Sequence, residues 1–111
     1  IVLKAQLASL EILRSGLKCS DGDKAARDVI TEAGYGEFFR HSTGHGVGIE
    51  IHEKPNLSPK SVTTLRTGNI VTVEPGIYIP GKFGVRIEDM ALITENGCQN
   101  LTNAAKELVI L

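Results

Sequence analysis

The sequence lacks the features that mark several common functional classes. Its 111 residues include no tryptophan, one methionine and two cysteines, and lysines and arginines form no run. With a formal net charge of −1, the chain has no basic surface of the kind that attracts nucleic acids or anionic membranes. We therefore expect neither nucleic acid nor a membrane among its partners.

The spacing of the two cysteines argues against a small metal-binding or redox domain. Cys19 and Cys98 lie far apart and form no C-x-x-C pair, so they indicate neither a zinc knuckle nor a redox motif. No apolar run approaches the roughly 18 residues of a membrane span. Reduced thiols in a cytoplasmic protein are the expectation, and the length suits one domain.

Apolar spacing predicts two helices in the first third of the chain. In residues 1–16, leucines recur at helical steps and Gly16 suits a C′ position. In residues 21–36, Asp21 or Asp23 is the predicted N-cap and Gly34 the predicted stop. The predicted apolar stripes are Leu3, Leu7, Leu10 and Leu13 in the first helix, and Ala26, Val29, Ile30 and Ala33 in the second.

From residue 40 onward, β-branched residues alternate with polar ones between glycines and prolines. This pattern predicts short strands joined by turn-rich connections at 53–69 and 75–84. Helices followed by strands indicate an α+β fold with mainly antiparallel pairing. The predicted strands are 47–51, 70–73, 85–88 continuing into 91–94, and 107–111.

All three histidines, His41, His45 and His52, lie in the stretch HSTGHGVGIEIH. Its glycines argue against a helix and favour a loop that enters a strand. His45 and His52 would point to opposite faces of a straight strand, so a bend permitted by glycine must bring them together. The alternative is three histidines with unrelated partners in the core or at the surface.

Two carboxylates extend this candidate site. Glu74 ends the apolar run IVTV, and Glu88 shares one strand face with Arg86. The alternatives are a solvated strand end and a surface ion pair. A buried carboxylate needs compensation, which a metal ion can supply, and one imidazole nitrogen with two glutamates suits Mn, Co, Fe or Zn. Such an ion supports hydrolysis at neutral pH.

Charge balance indicates that this ligand set is incomplete for two ions. Glu74, Glu88 and a neutral His45 bring a charge of about −2 against +4 for a pair of divalent ions. Further anionic ligands are therefore needed.

Four blocks carry a resemblance to a known family. HSTGHGVGIEIHEKP, VTVEPGIYIPG, GVRIEDMALITENG and LTNAAKEL occur in this order between residues 41 and 108, and the resemblance extends over essentially the whole chain. They resemble the C-terminal half of the pita-bread metallopeptidases, whose superfamily includes creatinase and methionine aminopeptidase. GVRIED with the late KEL is similar to the Xaa-Pro branch, prolidase and aminopeptidase P.

The resemblance implies a fold, an activity and site roles. The fold would be the C-terminal half of the pita-bread domain, and the activity would be cleavage of short peptides before proline with two divalent ions (Mn, Co, Fe or Zn). His45, Glu74 and Glu88 would bind metal, with Glu88 bridging both ions. His41 and His52 would contact the substrate carbonyl and stabilise the tetrahedral intermediate. Arg86 and Tyr78 would support the substrate pocket or neighbouring ligands.

Two departures from the family pattern carry expectations. The family site also uses two aspartates from the preceding half of the domain, whereas Asp21, Asp23 and Asp28 here are assigned to capping and solvation. We therefore expect a fragment that binds metal weakly, is inactive alone and exposes apolar sheet surface that favours a homo-oligomer. Met90 stands where an acidic residue is common.

Two other functions stay open on the sequence. Relatives with this fold that have lost their metals act as interaction modules, and creatinase-type amidinohydrolases share the same fold. Retention of His45, Glu74 and Glu88 favours the peptidase over the first of these.

Overall fold

The computed structural model describes residues 1–111, which form two α-helices, one 3-10 turn and seven strands. Neither helix has the length and apolar character needed to cross a bilayer. The helices are α1 (Val2–Ile12) and α2 (Cys19–Glu32), and the 3-10 turn is Gly36–Phe38. The strands are β1 (Gly44–Gly46), β2 (Glu53–Leu57), β3 (Ile70–Val73), β4 (Gly76–Ile79), β5 (Phe83–Arg86), β6 (Asp89–Ile93) and β7 (Cys98–Asn100).

The strands form two antiparallel sheets. Five of them make the main sheet in the order β2-β1-β3-β6-β7, and β4 and β5 make a separate hairpin. β3 lies at the centre of the main sheet, where Val73 pairs with Asp89 of β6. The ends of β3 and β5 and the start of β6 therefore bring Glu74, Arg86 and Glu88 into one region.

The core is divided between the sheet and the helices. One cluster packs the sheet against the start of α2, and the other packs α1 and α2 against the β4–β5 hairpin. The first cluster contains Leu13, Cys19, Leu57, Leu65, Val71, Val73, Ala91 and Ile93. The second contains Val2, Ala5, Ala26, Ile30, Phe39 and Ile77.

The predicted apolar stripe of the first helix is only partly right, because Leu13 is buried and Leu10 packs against the core but Leu7 is 50% exposed. The buried residues within α1 are Val2, Ala5, Gln6 and Ser9. Small and polar side chains allow α1 to approach α2 closely, and the Ser9 hydroxyl donates to the Gly22 carbonyl at 2.8 Å. Gly16 lies in a turn beyond the C-cap Leu13 rather than at the helix end.

The second helix begins earlier than predicted. Its N-cap is Lys18, so Asp21 and Asp23 lie inside the first turns and are not caps. Its predicted stop is confirmed, since Gly34 follows the C-cap Ala33 with a φ of +88°. The stripe is only partly right, because Ala33 is exposed.

The predicted strands are confirmed at 70–73 and wrong at 47–51. The chain bends through 48–52 and leaves Ile49 and Ile51 exposed, because the strand is the preceding Gly44–Gly46. The predicted run 85–94 is two strands in different sheets. Strands β2, β4 and β5 occupy parts of the predicted connections, β7 was missed, and 107–111 is not a strand.

Candidate metal centre

Glycines let β1 lie between two close neighbours. A Cβ at Gly44 would overlap the Thr72 carbonyl oxygen, and a Cβ at Gly46 would overlap that of Lys54. His45 is therefore the one residue of β1 with a side chain beyond Cα. Its backbone N–H donates to the Thr72 hydroxyl at 3.0 Å, which fixes the strand beside β3.

His45, Glu74 and Glu88 converge as the sequence predicts. One possible ligand atom from each residue lies within 4.8 Å of the other two. His45 and Glu74 are largely buried, whereas Glu88 is exposed. They line a cavity of about 350 Å³ together with Val47, Ile51, His52, Thr72, Arg86 and Met90.

Hydrogen bonds orient two of the candidate ligand atoms, His45 Nε2 and Glu74 Oε1, toward each other. Nδ1–H of His45 donates to the Gly46 carbonyl at 2.9 Å, which leaves the Nε2 lone pair available in the neutral ring. The Thr72 hydroxyl donates to Glu74 Oε1 at 2.8 Å. His45 Nε2 and Glu74 Oε1 are 3.0 Å apart, and with the ring neutral and protonated on Nδ1 both atoms would present lone pairs.

This donor arrangement fits a divalent cation. Two neighbouring ligands of one ion, each at about 2.1 Å, lie about 3 Å apart. One imidazole nitrogen and two carboxylates also form the mixed N/O set that transition-metal ions accept. A cation would relieve the opposition of the two lone pairs, so the residues fit the metal that their pattern predicts.

Arg86 supplies positive charge beside both carboxylates. Its Nε is 3.9 Å from Glu74 Oε2 and 4.0 Å from Glu88 Oε2. The Tyr78 hydroxyl, followed by Glu74 and Glu88, raises the pKa of Arg86 above its ordinary value. The guanidinium therefore stays charged and links the two acids.

His52 reaches the same cavity through the bend at 48–52. Its ring centroid is 4.4 Å from that of His45. The glycine-permitted bend therefore does bring these two imidazoles together, although the segment between them is not the predicted strand. His52 is exposed and its ring is directed into the cavity beside the candidate ligands.

His41 and Tyr78 do not line this cavity. Nδ1–H of His41 donates to the Ser42 carbonyl at 2.7 Å, and Nε2 accepts a hydrogen bond from the Tyr78 hydroxyl at 2.8 Å. Tyr78 in turn lies beside Arg86. His41 is thus connected to the cluster through Tyr78 and Arg86 rather than directly.

Sequence reasoning missed Thr72, Asp23 and Arg27, which organise the site. Thr72 is a buried polar residue inside an apolar strand, which was an available signal. Asp23, assigned to capping and solvation, is 1% exposed and is ion-paired with Arg27. Asp28 is exposed and pairs with Lys24, in agreement with its assignment.

The family model that matches residues 1–95 is metallopeptidase family M24. The chain belongs to this family. Membership agrees with the candidate ligands, since the family description is that of a metallopeptidase.

Three relatives show what this M24 chain is similar to. It is 51% identical over 109 residues to the Xaa-Pro dipeptidase of Pyrococcus horikoshii, a match over 98% of this chain and 31% of the relative. The solved Xaa-Pro dipeptidase of Bacillus anthracis matches with a TM-score of 0.97 and 55% identity, over 99% of this chain and 31% of that one. An X-Pro aminopeptidase from Thermotoga maritima matches at 0.95 and 44%, over 99% and 31%.

These likenesses confirm the predicted fold class, two helices followed by mainly antiparallel strands as in the pita-bread peptidases. The M24 chain spans about 31% of the length of the curated relatives that it matches. Both dipeptidase and aminopeptidase names occur among the matched proteins.

Proposed function

We propose that this chain is the C-terminal portion of the catalytic domain of an M24 peptidase that hydrolyses the bond before proline in short peptides. The observation that carries the proposal is the convergence of His45, Glu74 and Glu88 within 4.8 Å. The names of the matched dipeptidases support the substrate class. The whole enzyme would include two further anionic ligands from a region outside these 111 residues.

The three converging side chains would hold the metal, with Glu88 shared between two ions of Mn, Co, Fe or Zn. A divalent ion at such a site polarises a carbonyl oxygen and makes water more acidic, which is the chemistry of amide hydrolysis. Glu74 and Glu88 together bring about −2 against +4 for two ions. This deficit is the reason for proposing ligands from elsewhere.

The remaining residues would orient ligands and substrate. Arg86 shares its charge between Glu74 and Glu88 and would hold both carboxylates beside the cavity. His52, exposed at the cavity, would donate a hydrogen bond to the substrate carbonyl as negative charge develops on it. His41 lies outside the cavity, so it would act indirectly, by orienting the Tyr78 hydroxyl that donates to its Nε2.

The cavity also suits a proline-containing substrate. The bond before proline has no N–H, so recognition depends on ring shape and on the carbonyl oxygen. Val47, Ile51 and Met90 are apolar residues of the cavity lining. Such side chains would provide contact for a proline ring, while the polar groups of the lining would face the scissile bond.

A chimera tests this proposal without relying on the short chain alone. These 111 residues replace the matching 31% of the Bacillus anthracis Xaa-Pro dipeptidase, which is 55% identical over them. We expect metal-dependent hydrolysis of Ala-Pro but not of Ala-Ala. Glu88→Gln should lower kcat/KM by more than about 100-fold, since even outer-shell changes cost 10- to 100-fold.

Glu95→Gln is the matched control, because Glu95 is an exposed acid of the β6–β7 turn outside the cavity. A chimera that folds and binds metal but leaves Ala-Pro intact would contradict the substrate class. The isolated chain should bind metal weakly and show negligible activity. Chelator-sensitive cleavage of Ala-Pro by the isolated chain would contradict the proposed need for further ligands.

A homo-oligomer stays a prediction for the isolated chain. The β4–β5 hairpin exposes Phe83 and Val85, and Leu101 and the residues after it expose further apolar side chains. Light scattering should give a mass above 11.9 kDa that rises with concentration. A mass that stays at the monomer value at high concentration would contradict the prediction.

A further inference from the structure

Helix α2 carries a buried ion pair for which the metal site has no direct use. Arg27 donates from Nε to Asp23 Oδ2 at 2.7 Å and from Nη2 to Asp23 Oδ1 at 2.9 Å. The Asp23 side chain is 1% exposed and that of Arg27 is 25% exposed. A pair that is taken this far out of water needs additional partners to be favourable.

Those partners all belong to the segment that leads into β1. Arg27 Nη1 donates to the Phe39 carbonyl and Nη2 to the His41 carbonyl, each at 2.8 Å. The guanidinium also lies 4.1 Å from the centroid of the Phe39 ring. Asp23 Oδ1 accepts from the Thr43 backbone N–H at 3.0 Å and from the Thr43 hydroxyl at 2.9 Å.

Thr43 passes this restraint to the candidate ligands. Its carbonyl accepts the backbone N–H of Glu74 at 2.7 Å. It also directly precedes Gly44 and His45, whose own N–H is bound by Thr72. The backbones that carry two of the three candidate metal ligands are thus tied to one side-chain pair on α2.

We infer that Asp23 and Arg27 are positioning residues for the metal cluster. The inference rests on the proposed metal site, because it concerns how His45 and Glu74 are held there. Only an arginine serves this geometry, since its planar fork donates to a carboxylate and to two carbonyls at once. A lysine keeps the charge but cannot reach all of these acceptors.

A second ion pair on the same helix provides the matched control. Lys24 and Asp28 have the same four-residue spacing as Asp23 and Arg27. Both side chains are exposed, and Lys24 and Asp28 form a hydrogen bond with each other. Any effect of disturbing a helix ion pair alone should therefore appear in Lys24→Met as much as in Arg27→Lys.

Amide hydrogen exchange on the metal-free chain tests the inference. Arg27→Lys should speed exchange of the Thr43 and Glu74 amides by about 10-fold, the size expected for loss of a hydrogen bond to a charged group. The Ile93 amide, which donates to Asn69 in the far part of the sheet, is the internal reference and should keep its rate. Lys24→Met should change none of the three amides.

A second pair of variants covers the case in which Arg27→Lys does not fold. Thr43→Val keeps the side-chain shape and removes the hydroxyl that donates to Asp23, whereas Thr43→Ser keeps a hydroxyl. We expect faster exchange of the Glu74 amide in the valine variant and restoration in the serine variant. A structural role limited to packing would make serine, which loses a methyl group, the more disruptive change.

Equal acceleration of the Thr43, Glu74 and Ile93 amides, or no acceleration at Thr43 and Glu74, would overturn the inference. Titration of the same variants with Mn²⁺ then adds an independent readout, for which we expect weaker binding in Arg27→Lys and wild-type binding in Lys24→Met. Failure of the wild-type chain to bind Mn²⁺ would contradict the metal proposal. That failure would leave the exchange result intact, so the two outcomes are distinguishable.

Discussion

Asp89, directly after Glu88, is a buried acid whose negative charge needs a partner inside the protein. Its side chain is 1% exposed, and Oδ2 accepts from Asn100 at 2.7 Å and from the Lys106 ammonium. Oδ1 accepts no hydrogen bond within the chain. Lys106 therefore neutralises a carboxylate at the start of β6 and ties residues near the end of the chain to the sheet.

Replacing Lys106 should be costly for stability. Lys106→Met leaves the buried Asp89 charge uncompensated, and we expect the free energy of unfolding to fall by about 3 kcal/mol. Urea denaturation measures the change. Lys82→Met is the control, since Lys82 is exposed in the hairpin turn. A loss for Lys106→Met no larger than that of the control would contradict the account of Asp89.

Cys19 gives a prediction for thiol reactivity. Burial raises the pKa of its thiol above the ordinary value, so the folded state favours the protonated form. The resulting stabilisation is present below the pKa of the unfolded thiol and is lost as the pH rises through the higher folded value. In a Cys98→Ser background, iodoacetamide should therefore react with Cys19 more slowly in the folded chain than in urea. Equal rates would contradict this.

At the scale of elements, β1 depends on glycine because its neighbours leave no room for a Cβ. Gly44→Ala would place a methyl group on the Thr72 carbonyl. We expect a loss of about 1 to 3 kcal/mol, the range for overpacking, and weaker Mn²⁺ binding because β1 carries His45. Gly97→Ala is the control, since a Cβ there meets no atom within 4 Å. Equal thermal stability of the two variants would contradict the steric account.

The sequence predicts helices and strands well where their apolar residues are buried and a glycine or proline marks the end of the element. The stop of α2 at Gly34 and the strand 70–73 follow from such patterns and are confirmed. The alternation at 47–51 is misleading because Ile49 is exposed in a bend. Most of the hairpin at 76–86 lies within the predicted connection 75–84, because its glycines and proline are typical of turns. In the structure Gly76 and Gly84 instead make room for the Tyr78 ring.

Part of the candidate site could also be predicted from the sequence, and part could not. The convergence of His45, Glu74 and Glu88 could be predicted from residue types, strand ends and the family resemblance. The roles of Thr72 and Asp23 could not, because their hydrogen bonds join residues that are distant in sequence. Thr72 meets His45 across 27 positions, and Asp23 meets Thr43 across 20. Pattern reading within one segment cannot detect such pairs.

In the whole molecule, several elements together position the residues that line one small cavity. α2 holds the segment before β1, β3 carries Thr72 and Glu74, and the β4–β5 hairpin delivers Arg86. The charges of the cluster do not balance two divalent ions within the chain. We therefore propose that His45, Glu74 and Glu88 together form a partial metal site.

Paramagnetic relaxation by Mn²⁺ in an NMR titration of the isolated chain is the strongest test of this partial site. We predict saturable broadening of signals from His45, Glu74, Glu88 and the neighbouring His52, with weak affinity, and its loss in Glu88→Gln but not in Glu95→Gln. Broadening spread evenly over the exposed acids, or unchanged in Glu88→Gln, would contradict the account.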